Sequence, residues 1–167
     1  MKDTKKLILY TTRGALIASL YVVLTLLASA VGLSSGVIQF RFSEALCILP
    51  ILFPEAIPGL FIGCMVSNLL SACAVWDVIF GSIATLIGAV GAWLLRNLPE
   101  KFKWVCTIPT VLANMLIIPP VLILAYGASD SYIFLVITVG IGEIVCAGLG
   151  GCALYYLLKK TKLTWLK

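Results

Sequence analysis

Leu20-Tyr21-Val22-Val23-Leu24-Thr25-Leu26-Leu27 decides the fold class. A strand of a membrane barrel alternates polar and apolar residues, and neither this run nor Val121-Leu122-Ile123-Leu124-Ala125 does so. Both runs need a helix. Around them, a chain of 167 residues is 62% hydrophobic and 11% charged, whereas an average soluble domain is about 25% charged. An all-α integral membrane protein follows. At about 20 residues per crossing plus short connections, the length predicts about six spans in one membrane domain, residues 1–167, with no room for a soluble domain.

Charge fixes the expected orientation. Lys2, Lys5, Lys6 and Arg13 precede the first apolar run, Arg96, Lys101 and Lys103 lie mid-chain, and Lys159, Lys160, Lys162 and Lys167 follow the last run. Basic residues stay on the cytoplasmic side, so both termini and the loop 96–103 are expected there. Arg41 is the one basic residue placed outside by this scheme. The net charge of +5 therefore reads as membrane orientation and not as a nucleic-acid surface. A basic stub, 1–12, leads into spans expected near 13–31, 43–53, 56–75, 78–95, 104–126 and 132–158, with an outer loop or lid at 32–43. The first of these, ending in Ala28-Ser29-Ala30, also has the form of a signal peptide; it is read here as a retained span.

Local chemistry refines these spans. Pro50 and Pro54 predict a short, kinked second span, Glu55 to Gly59 a tight cytoplasmic turn, and Pro119-Pro120 a bent or broken fifth span. In the first span, Gly14 with Ala18 and Ala15 with Ser19 form two overlapping small-x-x-x-small pairs. Such pairs let helices approach closely, either within the chain or against a partner.

One stretch departs from the apolar background. Gln39-Phe40-Arg41-Phe42-Ser43-Glu44 alternates as an extended segment does, and Glu44 then opens a helical run. Carboxylates inside a membrane cost roughly 2.5 to 3.5 kcal/mol each and are functional candidates by default. Glu143, flanked by Gly140 and Gly142, is the clearest; Glu44 has Arg41 three residues before it as a local partner, and Asp77 is also placed to cap the fourth helix. Asn68 and Asn114 serve equally as interhelical hydrogen-bonding groups or as ligand contacts. In depth, Glu44, Asp77, Asn68, Asn114 and Glu143 all fall in the outer half of the membrane or near its midplane. One outward-facing, acidic, amide-lined pocket is expected, with Arg41 at its edge and Phe40, Phe42, Trp76 and Phe134 as stacking surfaces. It suits a small planar ligand rich in donors. A guanine-like edge offers adjacent N–H groups to one carboxylate, and a second carboxylate can pair an alkylammonium.

Other chemistries are excluded. There is no G-x-x-x-x-G-K-[ST] for ATP and no G-x-G-x-x-G for a dinucleotide. Without histidine and without C-x-x-C spacing, neither a metal site nor a resident cofactor is expected, and the six cysteines read as small apolar residues. No paired nucleophile and base points to an enzyme.

The stretch Gln39 to Leu46, the block Phe53-Pro54-Glu55-Ala56-Ile57-Pro58-Gly59-Leu60-Phe61-Ile62-Gly63-Cys64 and the block Asp77 to Leu86 together resemble the QueT family. These are substrate-binding S components of energy-coupling factor transporters, associated with queuosine precursors, the deazaguanine bases. The resemblance implies a prokaryotic plasma-membrane subunit that captures its ligand on the outer face. It also implies docking on a membrane-embedded coupling protein with two cytoplasmic ATPases, through small residues of the first helix, here Gly14 and Ala18 or Ala15 and Ser19. An S component for another small vitamin-like ligand is the nearest alternative. A self-contained proton-coupled carrier with Glu143 as relay is the alternative from another class.

Overall fold

The computed structural model describes residues 2–33, 39–71 and 73–161, and the fold is all-helical among them. The tip of the expected outer loop, 34–38, and the basic residues Lys162 and Lys167 lie outside the described residues. Six α-helices follow one another: α1 (Lys2–Ala30), α2 (Ala56–Leu70), α3 (Val75–Leu94), α4 (Ile108–Tyr126), α5 (Tyr132–Glu143) and α6 (Gly151–Lys160). A 3-10 helix, Phe42–Ile51, precedes α2, and a π-helical stretch, Ile144–Gly150, joins α5 to α6.

Four helical stretches are long and apolar enough to cross a membrane: Thr4–Ala30, Val75–Asn97, Glu100–Tyr126 and Tyr132–Lys160. The expected second and third spans are shorter. Ten residues of 3-10 helix rise about 20 Å and the fifteen of α2 about 22 Å, less than the roughly 30 Å of bilayer hydrocarbon. Pro50 does not kink an α-helix here, because the segment is wound 3-10 from Phe42 to Ile51. The turn expected at Glu55 to Gly59 falls earlier, at residues 52–55, so that Pro58 sits in the first turn of α2, where its missing N–H is not needed. Pro119-Pro120 leaves α4 helical through Tyr126.

Two glycines stop helices. Gly127 takes φ +65° after α4, and its N–H bonds to the Ile123 carbonyl while Ala128 N–H bonds to that of Leu122. Gly32 takes φ +74° after α1, with Leu33 N–H on the Ala28 carbonyl. A left-handed residue at these places satisfies carbonyls that the helix end leaves open.

Small residues set the packing. A Cβ on Gly59 would lie 2.6 Å from the Gly14 carbonyl oxygen, and one on Gly63 2.9 Å from that of Ala18. The Gly14/Ala18 ridge is therefore filled by α2 of the same chain. Ala15 and Ser19, one position further round α1, remain exposed. Gly88 and Gly91 of α3 likewise admit Thr110 and Pro109 at the start of α4. Behind these crossings Ile17, Tyr21, Leu46, Leu49, Leu60, Cys64 and Ala89 form the main core.

The two ends of the bundle differ. Arg13, Glu55, Arg96, Glu100, Lys103 and Lys159 gather at one end, where α1 and α2 begin and α3 and α6 finish. The other end, where α1, α2 and α4 finish and α3 begins, carries the polar cavity described next.

Candidate functional site

A cavity of about 330 Å³ opens among Thr25, Asn68, Asp77, Tyr126, Arg41 and Gln39. Each wall has a local reason to be there. Gln39 and Arg41 lie on the extended return from α1, Arg41 at φ −107°, ψ 91°, held by Phe40 N–H on the Leu33 carbonyl. Alternation then points Gln39 and Arg41 to the same side, as the sequence predicts. Both residues also line a second, much smaller niche with Ile118, Val139 and Glu143. They stand as a partition: Asp77 on one side, Glu143 on the other.

Asp77 sits in the first turn of α3, where the helix dipole favours an anion. It does not cap that helix. Its Oδ2 accepts from the Tyr126 hydroxyl at 2.8 Å, and the same hydroxyl accepts from Ala74 N–H at 3.1 Å. Arg41 Nη2 stands 3.9 Å from Asp77 Oδ1, an ion pair at the edge of contact. Asn68 Nδ2 donates to the Asp77 backbone carbonyl at 3.0 Å, which ties the end of α2 to the start of α3.

Polar atoms without partners concentrate here. Among the described residues, Asp77 Oδ1, Asn114 Nδ2, Glu143 Oε2 and Ser71 Oγ are buried and make no close hydrogen bond, and neither does Thr110 Oγ1 nearer the other end; the Asn114 amide and the Glu143 carboxyl are neighbours within reach of each other. Each such atom costs about 1 to 3 kcal/mol. Asp77, Asn114 and Glu143 are only 3%, 3% and 6% exposed. Two are acceptors and one is a donor, the complement of a ligand with several N–H groups and a carbonyl. At 330 Å³ the cavity is at the lower end of the range for small-molecule sites.

The structure separates the sequence-derived candidates. It brings Arg41, Asn68 and Asp77 to the cavity, and Glu143 to the niche behind Arg41. Asn114 lines neither, and nor does Glu44. Glu44 is 1% exposed, accepts from the Tyr21 hydroxyl at Oε1, and accepts from the Cys47 thiol at Oε2, 3.2 Å away. Its local partner is thus a tyrosine from α1 and not Arg41. Phe40 and the other expected stacking surfaces are also elsewhere. Phe42, Trp76 and Phe134 are 42%, 56% and 43% exposed, and Trp76 stacks on Phe80 along an apolar groove. The aromatic ring that lines the cavity is Tyr126, missed in the sequence, although its place just before the helix-stopping Gly127 marks a helix end.

Among the described residues no group of three His, Cys, Asp or Glu is arranged to hold a metal ion, and all six cysteines are free thiols. The groups that line the cavity offer hydrogen bonds and charge to a small molecule.

The model of the family described as QueT transporter matches residues 11–160. A curated relative, the queuosine precursor transporter QueT of Lactococcus lactis subsp. cremoris (strain MG1363), is 40% identical over 91 residues, 54% of this chain and 53% of that protein. The match thus spans about half the length of that relative. No solved structure matches the chain.

Proposed function

This chain belongs to the QueT transporter family, a family of transporters and not of enzymes, and from that premise we propose that it captures a queuosine precursor, a 7-deazaguanine-type base, in its polar cavity. The observation that carries the proposal is the pair of buried carboxylate oxygens without a hydrogen bond, Asp77 Oδ1 and Glu143 Oε2, on the two sides of one partition, with the Asn114 amide beside Glu143. Glu143 accepts the adjacent ring N–H and amino groups of the base. Asn114 Nδ2 donates to its carbonyl edge, and Asp77, at the wider end, faces an alkylammonium substituent.

The chain is the S component of an energy-coupling factor importer in a prokaryotic plasma membrane. Its two shorter helical segments complete a six-span topology with both termini cytoplasmic. Support for that orientation comes from the end opposite the cavity, which holds Arg13, Arg96, Lys103 and Lys159. Energy comes from a membrane-embedded coupling protein and two ATPases. Of the two small-residue registers on α1, Ala15 and Ser19 form the docking face, since Gly14 and Ala18 already hold α2. Ala15→Trp is expected to abolish ATP-driven uptake while base binding persists; uptake at the wild-type rate would remove this face from the interface.

The test is transport of a labelled 7-deazaguanine base by the protein reconstituted in vesicles. Uptake that requires the coupling protein, the ATPases and ATP supports the proposal. Uptake by the chain alone, driven by a pH gradient and indifferent to ATP, would establish a self-contained carrier instead.

A further inference from the structure

The loose pair between Arg41 and Asp77 calls for a reason. A guanidinium that served only to neutralise Asp77 would close to hydrogen-bond distance, as Arg13 does with Glu55 at 3.1 Å. Arg41 Nη2 instead stops at 3.9 Å, and the buried Asp77 Oδ1 keeps a lone pair unused. The guanidinium nevertheless fills the centre of the site. Its other nitrogen, Nη1, reaches towards Gly81 of α3, where an added Cβ would lie 3.9 Å away. Its side chain lines both the 330 Å³ cavity and the niche that holds Glu143, whose Oε2 has no close partner. A ligand large enough to touch both carboxylates must move this side chain. Arg41 is 17% exposed and hangs from an extended segment, so an outward swing into water needs only side-chain rotation.

We propose that the Arg41 guanidinium is a tethered stand-in for the ligand's cation: it occupies the ammonium position beside Asp77 while the site is empty and is displaced outward when a cationic base binds. This rests on the reading of the cavity as a site for a donor-rich base. It adds a selectivity rule. A base without an ammonium leaves Arg41 beside Asp77, whereas a base with one must replace one cation by another.

The experiment compares two 7-deazaguanines, one with an aminomethyl group and one without, by calorimetric titration of wild-type protein and Arg41→Ala. The amine-bearing base is expected to bind Arg41→Ala at least tenfold more tightly than wild type, with the amine-free base gaining less than twofold. Methylguanidinium at millimolar concentration should raise the melting temperature of Arg41→Ala, and not of wild type, by refilling the vacated position. Loss of affinity for both bases would make Arg41 a direct ligand contact, and unchanged affinity for both would place it away from the ammonium; either overturns the proposal. Should Arg41→Ala not fold, peptide-resolved phenylglyoxal labelling of wild type decides: labelling at Arg41 rises severalfold with the amine-bearing base if the side chain swings out, and unchanged or falling labelling overturns the proposal. A wild-type protein that binds neither base defeats the transport reading, whereas the methylguanidinium shift in Arg41→Ala reports on the tethered cation alone.

Discussion

Among the described side chains, Glu55 and Glu100 at the basic end of the bundle each have a close cationic partner, whereas Asp77 and Glu143 at the cavity end do not. Glu55 receives Arg13 at 3.1 Å, and Glu100 receives Lys159 at 2.8 Å with the Tyr155 hydroxyl on its other oxygen. Asp77 has Arg41 only at 3.9 Å, and Glu143 keeps Oε2 bare. Between the ends, Glu44 is as deeply buried as either and is served by Tyr21 and Cys47. Burial of an acid therefore does not by itself single out the cavity; in the proposed reading incomplete hydrogen bonding does, because the missing partner is what a ligand would supply.

The contrast can be broken by substitutions that ought to change one region and leave the other alone. Gly63→Leu drives a side chain into the Ala18 backbone of α1 and should cost more than about 4 kcal/mol, seen as loss of a cooperative melt in detergent. A folded Gly63→Leu protein would mean that the α1–α2 crossing is not as close as described. Tyr21→Phe removes the hydroxyl that serves Glu44 and should lower stability by about 1 to 3 kcal/mol, with base affinity changed less than about twofold. A large fall in affinity with unchanged melting would move Glu44 back into the binding site. Last is Arg13→Ala. It leaves Glu55, only 6% exposed, without its cation, so stability should fall by about 1 to 3 kcal/mol while ligand affinity is untouched. Any effect on binding would show that the two ends are coupled.

The sequence made the fold class and the ends legible for physical reasons. Unbroken runs such as Leu20 to Leu27 leave no alternative to helix in lipid, and clustered lysines and arginines mark one side. The alternation of Gln39 and Arg41 also carried through, since it depends only on backbone geometry. What failed depended on which neighbour arrives. Glu44 and Glu143 look alike in a hydropathy profile, and only the placement of Tyr21 opposite Glu44 tells them apart. The small-residue ridges of α1 differ by a single residue of register, about 100° around the helix, and the matching glycines lie more than forty residues away on α2. The π-helical stretch after Glu143, packed through Gly150 and Gly151 on Ala45, left no sequence signal beyond the glycines themselves. Such a stretch shifts the register of everything that follows it, so the face presented by α6 was not predictable from a 3.6-residue period.

The most direct test sets Glu143→Gln beside wild type in a calorimetric titration with a 7-deazaguanine base. Replacing the carboxylate removes one charge-assisted acceptor and no packing. Affinity should therefore fall by about 2 kcal/mol, roughly 30-fold, while the melting temperature holds or rises because a buried, incompletely bonded carboxyl has gone. Equal affinity for the two proteins would contradict the claim that the bare oxygen of Glu143 is waiting for cargo.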